Sequence, residues 1–269
     1  MKSTILSGIK KIKRKCGSYL DARNLEVDEA SLTQRLKDLF GPQISLKDIT
    51  GRGQNATYLV QGPKGENLSI VKVVNKRREK RLKAIQERHR RMVYLQPKER
   101  FQREMDILSS LSAHNLGPKP IMATDKFFLR EYVNGEPLSS YFNEPDSVLA
   151  EYLINALKTL GRLHQQGYVH GDPNPDNIIV TAKGMQLLDF DKCLNENVLS
   201  LRQRQAYDYL RFLTTSCSLR KDKKEVFYSL ILDYFKQRLL EGILEEFPYL
   251  LGLMEVDKEI GDFLCNELK

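Results

Sequence analysis

The sequence lacks the features that mark secreted, metal-binding and membrane-spanning proteins. Its 269 residues include four cysteines, and none of them lies in a CxxC pair or has the spacing of metal ligands. No apolar run approaches the roughly 20 residues that cross a bilayer, and the N-terminus has no apolar block of the signal-peptide kind. Fixed-period repeats and low-complexity blocks are also absent. We therefore expect reduced thiols and a folded, enzyme-sized protein in the cytoplasm or on a cytoplasmic surface.

Positive charge is concentrated in one segment of the chain. The formal net charge is +8, yet the segment from Asn75 to Arg103 alone holds twelve Lys or Arg and three Glu, a local charge of +9. Such a segment repels itself unless an opposite charge pairs with it. It predicts an added element that receives an anionic acceptor. The alternative is a solvated helix face that only aids solubility.

A second basic cluster lies at the start of the sequence. Six basic residues precede the first acidic residue, Asp21: Lys2, Lys10, Lys11, Lys13, Arg14 and Lys15. Apolar residues recur between them with the helical period of about 3.6, namely Ile5, Ile9, Ile12, Cys16 and Tyr19. The pattern predicts that residues 1–20 lie on an anionic membrane surface. A solvated basic arm is the alternative.

The order of apolar patterns predicts an α+β protein. The predicted helices cover 31–40 and 101–111, and the predicted strands cover 44–49, 57–61, 68–74, 121–124 and 127–133. A long helix begins near Asp146, and its spacing predicts one apolar face formed by Leu149, Leu153, Ala156, Leu160 and Leu163. From Gln203 the pattern is helical almost to the end. We predict a basic arm and helix over 1–40, a sheet-rich lobe over 41–133 with a basic insert at 75–103, and a helical lobe over 134–269.

The strongest chemical signal is the segment HGDPNPDNIIV, residues 170–180, followed by LLDFDKC, residues 187–193. It places Asp172 and Asn177 five positions apart on one short loop, and Asp189 directly after an apolar strand. Phosphoryl transfer needs metal ligands and a carboxylate that orients the attacking hydroxyl more than it needs covalent help. The alternative is a capping Asp, a turn Asn and an unrelated Asp at a strand end. The joint spacing and the apolar flanks favour phosphoryl transfer.

These two segments resemble the catalytic and metal-binding loops of the protein-kinase-like superfamily. The resemblance implies a bilobal protein-kinase-like fold, with a small antiparallel-sheet N-lobe and a helical C-lobe. It also implies that the protein uses ATP and Mg²⁺. Asp172 would accept the proton of the acceptor hydroxyl, and Asn177 and Asp189 would hold the metal.

Weaker signals occur upstream in the order that such a kinase requires. The segment GRGQNA, residues 51–56, resembles the glycine-rich loop over the nucleotide phosphates, with Gly51 and Gly53 at two glycine positions and Ala56 at the third. Lys72, in SIVKVV, resembles the strand lysine that contacts the α- and β-phosphates. Taken alone, the first pattern would be an ordinary hairpin and the second an edge-strand lysine.

Two further segments, a helix and a link between the lobes, resemble parts of a kinase nucleotide-binding site. Glu104 begins an ExxxLxxL pattern and resembles the helix glutamate that pairs with the strand lysine, with Glu99 as the competing candidate. The segment that includes Glu131 and Val133 resembles the hinge that receives adenine through backbone groups. His164 lies on the apolar face of its helix, and we interpret it as a core histidine.

Departures from ordinary protein kinases indicate the class of acceptor. Gly171 stands where regulated kinases carry the arginine that grips a phosphorylated loop, and Asn174 stands where Ser/Thr kinases carry a lysine. Asp191 gives DFDKC, which resembles the bacterial lipopolysaccharide-core kinases that phosphorylate Kdo or heptose. The Arg-rich helix of that family is echoed by Arg202, Arg204 and Arg211. This resemblance implies transfer to a hydroxyl of an anionic sugar or glycolipid acceptor.

Two other interpretations stay open. RIO-type and tRNA-modification-associated atypical kinases also have HGD loops and basic segments near the lysine strand. Under that alternative, the protein is an atypical protein kinase or ATPase whose basic segment contacts RNA or the ribosome. A pseudokinase that binds without turnover is the other alternative, and the filled catalytic positions argue against it.

Overall fold

The computed structural model describes residues 25–50, 55–219 and 241–254, together with positions 234 and 262. The N-terminal basic cluster, with its predicted membrane-facing stripe, lies outside these residues, as do Gly51 and Gly53. The chain divides into two compact units. The first consists of Met1–Arg88, Tyr94–Met105 and Pro120–Tyr132, and the second of His89–Val93, Asp106–Lys119 and Val133–Lys269.

Strands dominate the earlier part of the described chain and helices the later part. The helices are α1 (Glu29–Phe40), α2 (Lys76–Arg88), α3 (Pro97–Ser112), α4 (Asp146–Gln165), α5 (Leu201–Leu219), α6 (Glu241–Leu244) and α7 (Phe247–Leu253). The strands are β1 (Ser45–Asp48), β2 (Ala56–Gln61), β3 (Asn67–Val73), β4 (Met92–Val93), β5 (Pro120–Ala123), β6 (Phe127–Glu131), β7 (Glu136–Pro137), β8 (Ile178–Thr181), β9 (Gly184–Leu187) and β10 (Cys193–Leu194).

The first unit is built on a five-stranded antiparallel sheet with the order β1-β2-β3-β6-β5. Successive side chains of a strand lie on opposite faces of a sheet. Val71 and Val73 of β3 therefore share one face, and Lys72 lies on the other. The alternation of side chains therefore places the Lys72 ammonium group on the face of the sheet opposite Val71 and Val73.

Helix α1 covers the face that carries Val71 and Val73. Leu32 and Leu36 of α1 are buried in the same hydrophobic cluster as these valines. The carboxylate of Asp28 accepts a hydrogen bond from the backbone N–H of Ser31 at 3.0 Å and caps the helix. An N-cap and an apolar stripe thus place this helix on the sheet.

Helix α3 covers the opposite face of the sheet in the first unit. The rings of Phe101 in α3 and Phe128 in β6 are stacked, with centroids 6.1 Å apart. Both are buried, and Phe128 is the cross-strand partner of Lys72. The lysine is therefore set among apolar side chains beside α3.

The first part of the basic insert forms α2, and a buried ion pair fixes this helix to α3, in which the insert ends. Arg100, which is 1% exposed, donates from its two terminal nitrogens to the two carboxylate oxygens of Glu79 at 2.8 and 2.9 Å. The Tyr94 hydroxyl donates to the same carboxylate at 2.7 Å. Because loss of one partner would leave a buried charge uncompensated, this contact holds the insert in one position on the first unit.

Helices α4 and α5 supply much of the buried surface of the second unit. The apolar stripe predicted for α4 is buried, with Leu149, Leu153, Ala156, Leu160 and Leu163 all inaccessible to solvent. The unit also contains an antiparallel sheet of order β7-β8-β9 and the antiparallel pair β4 and β10. The short hairpin of β8 and β9 carries the chemical motifs at its open end.

The predicted α+β architecture is confirmed, with an antiparallel sheet in the first unit and mainly helices in the second. The helix predicted over 101–111 begins earlier, at Pro97, because a proline at the first helical position has no N–H to leave unpaired. The strand predicted over 127–133 ends at Glu131. The predicted domain boundaries stay predictions.

Two expectations concern the thiols and the membrane. Cys193 and Cys217 are not joined in a disulfide, and the other two cysteines lie outside the described residues. Within the described ranges, none of the helices combines the length and the apolar character of a membrane-crossing segment.

Candidate active site

Lys72 and Glu104 form a buried ion pair in the first unit. Lys72 Nζ lies 2.7 and 2.9 Å from the two carboxylate oxygens of Glu104, and the side chains are 9% and 0% exposed. Strand β3, paired on both sides, holds the lysine, and α3 holds the glutamate. The competing Glu99 lies in the first turn of α3, where its carboxylate accepts a hydrogen bond from the Gln96 backbone N–H. Of the two glutamates, the structure pairs Glu104 with Lys72.

The other residues predicted to contact the nucleotide differ in burial and in their place on the sheet. Ala56 is the first residue of β2 and is buried in the hydrophobic cluster beneath α1. Glu131 is exposed at the end of β6, and Val133 is half-buried. Gly51 and Gly53 lie outside the described residues. A contact of these residues with nucleotide stays a prediction.

In the second unit, residues 170–177 fold into a loop that its own side chains close. The side-chain oxygen of Asn174 accepts a hydrogen bond from the Asp176 N–H at 2.9 Å and caps the 3₁₀ turn Pro175–Asn177. The side-chain amide of Asn177 donates to the backbone carbonyl of Asp172 at 3.0 Å. The five-residue spacing of Asp172 and Asn177 therefore corresponds to a hydrogen-bonded loop.

Two cations hold the carboxylate of Asp172. Lys192 Nζ lies 2.6 Å from Oδ2, and Arg211 Nε donates to Oδ1 at 3.0 Å. Burial by itself would raise the pKa of Asp172, but the charges of Lys192 and Arg211 outweigh it, and the pKa lies below its ordinary value. The carboxylate is therefore ionised at neutral pH. In this form it can orient a hydroxyl group and accept its proton.

Asp208 of α5 organises the backbone that precedes Asp172. Its buried carboxylate accepts hydrogen bonds from the backbone N–H groups of His170 at 2.7 Å and Gly171 at 2.8 Å. Nε2 of His164 lies 3.0 Å from the same carboxylate. His164, interpreted from the sequence as a core histidine, is thus bonded within this cluster as well as packed. One carboxylate fixes two consecutive peptide groups next to Asp172.

His170 supports the loop as a neutral ring. Its ring is stacked on that of Phe190, with centroids 4.6 Å apart, and its Nδ1 accepts a hydrogen bond from the Asp172 N–H at 3.3 Å. Burial lowers the pKa of His170, although the carboxylates of Asp208 and Asp172 act in the opposite direction. The imidazole therefore stays uncharged and acts as an acceptor for the backbone.

The backbone conformation at Gly171 and the close approach of a neighbouring carbonyl group require a glycine at this position. Its φ of +83° lies in the left-handed region that favours glycine. A Cβ atom at this position would lie 2.6 Å from the backbone carbonyl oxygen of Lys192. An arginine here would therefore displace residue 192. The glycine at this position therefore has a steric cause.

The β8–β9 hairpin brings Asn177 and Asp189 to one end of the second unit. Asn177 directly precedes β8, and Ile178 of β8 is the cross-strand partner of Leu187 of β9. The backbone N–H of Leu188 donates to the carbonyl of Asn177 at 2.9 Å. Asp189 follows β9 and Asn177 precedes β8, so the two residues lie at the same end of the hairpin.

The residues at this end fit a magnesium ion. Asp189 has a φ of +69°, a strained conformation that is common in functional sites when the residue is not glycine. Carboxylate oxygens of Asp189 and Asp191 lie within 4.8 Å of one another. Carboxylate and amide oxygens are the ligands that Mg²⁺ prefers. Asp189 and Asn177, with Asp191 as a further oxygen donor, are the residues that could hold it.

A comparison with protein families identifies the class of domain. The family model described as the RIO domain matches residues 65–211, more than half of the 269-residue chain. The chain belongs to the RIO domain family. The predicted membership of the protein-kinase-like superfamily is thereby confirmed. The match supports the RIO-type interpretation, and the resemblance to lipopolysaccharide-core kinases is not supported by it.

Relatives of this RIO domain are found among tRNA-modification proteins and protein kinases. A probable bifunctional tRNA threonylcarbamoyladenosine biosynthesis protein of Methanosarcina barkeri is 29% identical over 164 residues, which cover 60% of this chain and 27% of that protein. The serine/threonine-protein kinase YabT of Bacillus subtilis is 30% identical over 87 residues, which cover 32% of this chain and 25% of that protein. The chain thus spans about a quarter of the length of these two relatives. The crystal structure of the Mycobacterium tuberculosis PknI kinase domain is 16% identical, with a TM-score of 0.47, and the similarity covers 85% of this chain and 97% of that one.

Two residues of the RIO domain that contact the loop were not identified from the sequence. The sequence could have indicated Asp208, because this carboxylate lies within the apolar helical run AYDYLRFL. A charged side chain in such a run is buried only where it is paired. No sequence pattern indicated Lys192, since its ion-pair partner Asp172 lies 20 positions away in the sequence. Arg211 was noted only as part of an Arg-rich helix.

Proposed function

We propose that this RIO-domain protein is an ATP-dependent phosphotransferase of the atypical protein kinase or ATPase type. The observation that carries the proposal is the loop in which Asp172 is ionised, ion-paired and bonded through its backbone to Asn177. Such a carboxylate is placed to orient a hydroxyl group, and the matched family segment contains it.

The proposed reaction moves the γ-phosphoryl group of ATP to a hydroxyl oxygen. The acceptor oxygen forms a bond to the γ-phosphorus, the bond from that phosphorus to the β,γ-bridging oxygen breaks, and ADP leaves. The hydroxyl proton passes to Asp172. Mg²⁺ held by Asn177 and Asp189 would neutralise charge on the β- and γ-phosphates. Lys72, held by Glu104, is the residue proposed to contact the α- and β-phosphates.

The metal assignment is tested by Asp189→Asn. We expect this variant to bind MgATP at least about tenfold more weakly, because even residues that only support metal ligands contribute about 10- to 100-fold to metal affinity. Asn also tolerates the left-handed φ of this position, so the fold should be retained. Isothermal calorimetry with MgATP measures the effect, and Asp125→Asn, at an exposed aspartate outside the site, is the matched control. MgATP affinity equal to that of the wild type would contradict the metal role.

We further propose that the partner of this domain is RNA or an RNA-bound protein, contacted through α2. Arg77, Lys80 and Arg81 are exposed and share one face of α2, since residues three and four positions apart are neighbours on a helix. Glu79 is engaged by Arg100 on the other side of the helix. The name of the Methanosarcina barkeri relative, which refers to tRNA modification, supports this choice. A sugar or glycolipid acceptor has no such support and stays a prediction.

The partner is tested by replacing Arg77, Lys80 and Arg81 with Gln. We expect the affinity for structured RNA to fall about tenfold or more, and the slope of log affinity against log salt to become shallower by about 2 to 3, because fewer counterions are released. Nucleotide affinity should not change. The matched control replaces the exposed Lys47, Lys64 and Lys126 of the same unit with Gln. Equal loss in the two variants would show that only net charge matters, and phosphorylation of a lipopolysaccharide-core acceptor in the same assay would establish the sugar alternative.

A further inference from the structure

The loop that carries Asp172 contains no lysine or arginine of its own. Residues 170–177 read HGDPNPDN, although the phosphoryl group transferred beside such an aspartate is negatively charged. Catalysis of this transfer depends on positioning and on electrostatic stabilisation of that charge. The cations at Asp172 are supplied by two other parts of the second unit, Lys192 and Arg211.

We propose that Lys192 is a catalytic residue that contacts the γ-phosphoryl group of ATP during its transfer, an inference that rests on the proposed function. The ammonium group lies 2.6 Å from Oδ2 of Asp172. The acceptor hydroxyl must come within hydrogen-bond distance of this carboxylate and within bonding reach of the phosphorus. A cation bonded to the carboxylate is therefore within reach of the phosphoryl oxygens.

The two cations differ in how they can act. Lys192 carries a compact point charge on a flexible stem, and its side chain is 24% exposed, so it can turn from the carboxylate to a phosphoryl oxygen. Arg211 holds the other oxygen, Oδ1, from helix α5. Asp172 therefore keeps one ion pair and its position while Lys192 contacts the substrate.

The backbone around Gly171 places Lys192 at this point. The carbonyl oxygen of Lys192 occupies the space that a Cβ atom at position 171 would need, with 2.6 Å between them. The absence of a side chain at 171 thus allows the segment after Asp191 to lie directly against the loop. The glycine in the HGD sequence and the lysine in DFDKC are two parts of one packing contact.

The test compares Lys192→Met with Lys192→Arg and with Lys183→Met, which replaces an exposed lysine in the β8–β9 turn. We expect Lys192→Met to lower kcat about 10²- to 10³-fold, the usual effect of removing one group that stabilises transition-state charge. Calorimetry should show that its preference for MgATP over MgADP falls about tenfold relative to the wild type, because a charged contact to the γ-phosphate is lost. ADP affinity should be unchanged. Lys192→Arg should recover part of both losses, and Lys183→Met should match the wild type.

The outcomes separate this inference from the function on which it rests. If Lys192→Met keeps both kcat and the ATP-to-ADP preference of the wild type, Lys192 only neutralises Asp172 and the inference is wrong, while the proposed function stands. If the wild type binds neither nucleotide, both fail. A thermal melt of each variant identifies misfolding. Should Lys192→Met fail to fold, Lys192→Gln replaces it in the test. A stable Lys192→Gln variant with a reduced ATP-to-ADP preference would support the inference, and one with the wild-type preference would overturn it.

Discussion

We expect Asp172→Asn to lower the turnover of ATP about 10²- to 10⁴-fold while the protein continues to bind MgATP. The magnitude is the usual contribution of a positioned general base. Asn has the size of Asp but accepts no proton at neutral pH, and it carries no charge for Lys192 and Arg211 to pair with. Because the backbone carbonyl of residue 172 still receives the Asn177 amide, the loop should retain its shape. Single-turnover kinetics gives the rate, and calorimetry gives the affinity for MgATP.

The control for this variant is Asp125→Asn, at an exposed position between β5 and β6, which should turn over like the wild type. A turnover within about threefold of the wild type for Asp172→Asn would contradict the assignment of the base, since a base contributes at least about 10²-fold. A complete loss of nucleotide binding would instead show that the loop had lost its structure.

Asp208→Asn is expected to reduce both the stability of the second unit and turnover. The carboxylate receives two backbone N–H groups, one on each oxygen. An Asn side chain must direct its own N–H₂ group at one of these donors. Hydrogen bonds to charged groups contribute about 1.5 to 3 kcal/mol each, so we expect the unfolding free energy to fall by about 3 kcal/mol. Urea unfolding measures this change.

The activity of Asp208→Asn tells a positioning role from a purely structural one. At a temperature where the variant is fully folded, we expect kcat to fall at least about tenfold, because displacement of the peptide groups before Asp172 misplaces the base. Asp125→Asn should show neither effect. A destabilised variant with wild-type kcat would contradict the idea that Asp208 positions the loop.

The order of the elements followed from the sequence because it depends on local patterns. The run of β-branched and apolar residues over 68–74 predicted the strand that is observed as β3, and the apolar spacing from Leu149 to Leu163 predicted the buried stripe of α4. The ends of elements were less accurate, as at Pro97, because several residues near a helix end can adopt either state.

The acceptor class inferred from the sequence is not supported by the family match. Gly171 and Asp191 suggested a lipopolysaccharide-core kinase, whereas the family match supports the RIO type. The structure gives Gly171 another cause, the close approach of the Lys192 carbonyl. A glycine that is required for packing carries no information about the acceptor.

The sequence by itself determined the chemistry of the loop, since Asp172 and Asn177 lie five positions apart and their contact is local. Only the tertiary structure decided which charges surround that loop. Lys192, Asp208 and Arg211 reach it across 20 to 39 positions of sequence. Contacts at such separations depend on how the helices and the hairpin pack, and no local periodicity encodes them. Lys192 and Arg211 lower the pKa of Asp172, because a carboxylate responds to every charge within a few ångströms, whatever its place in the sequence.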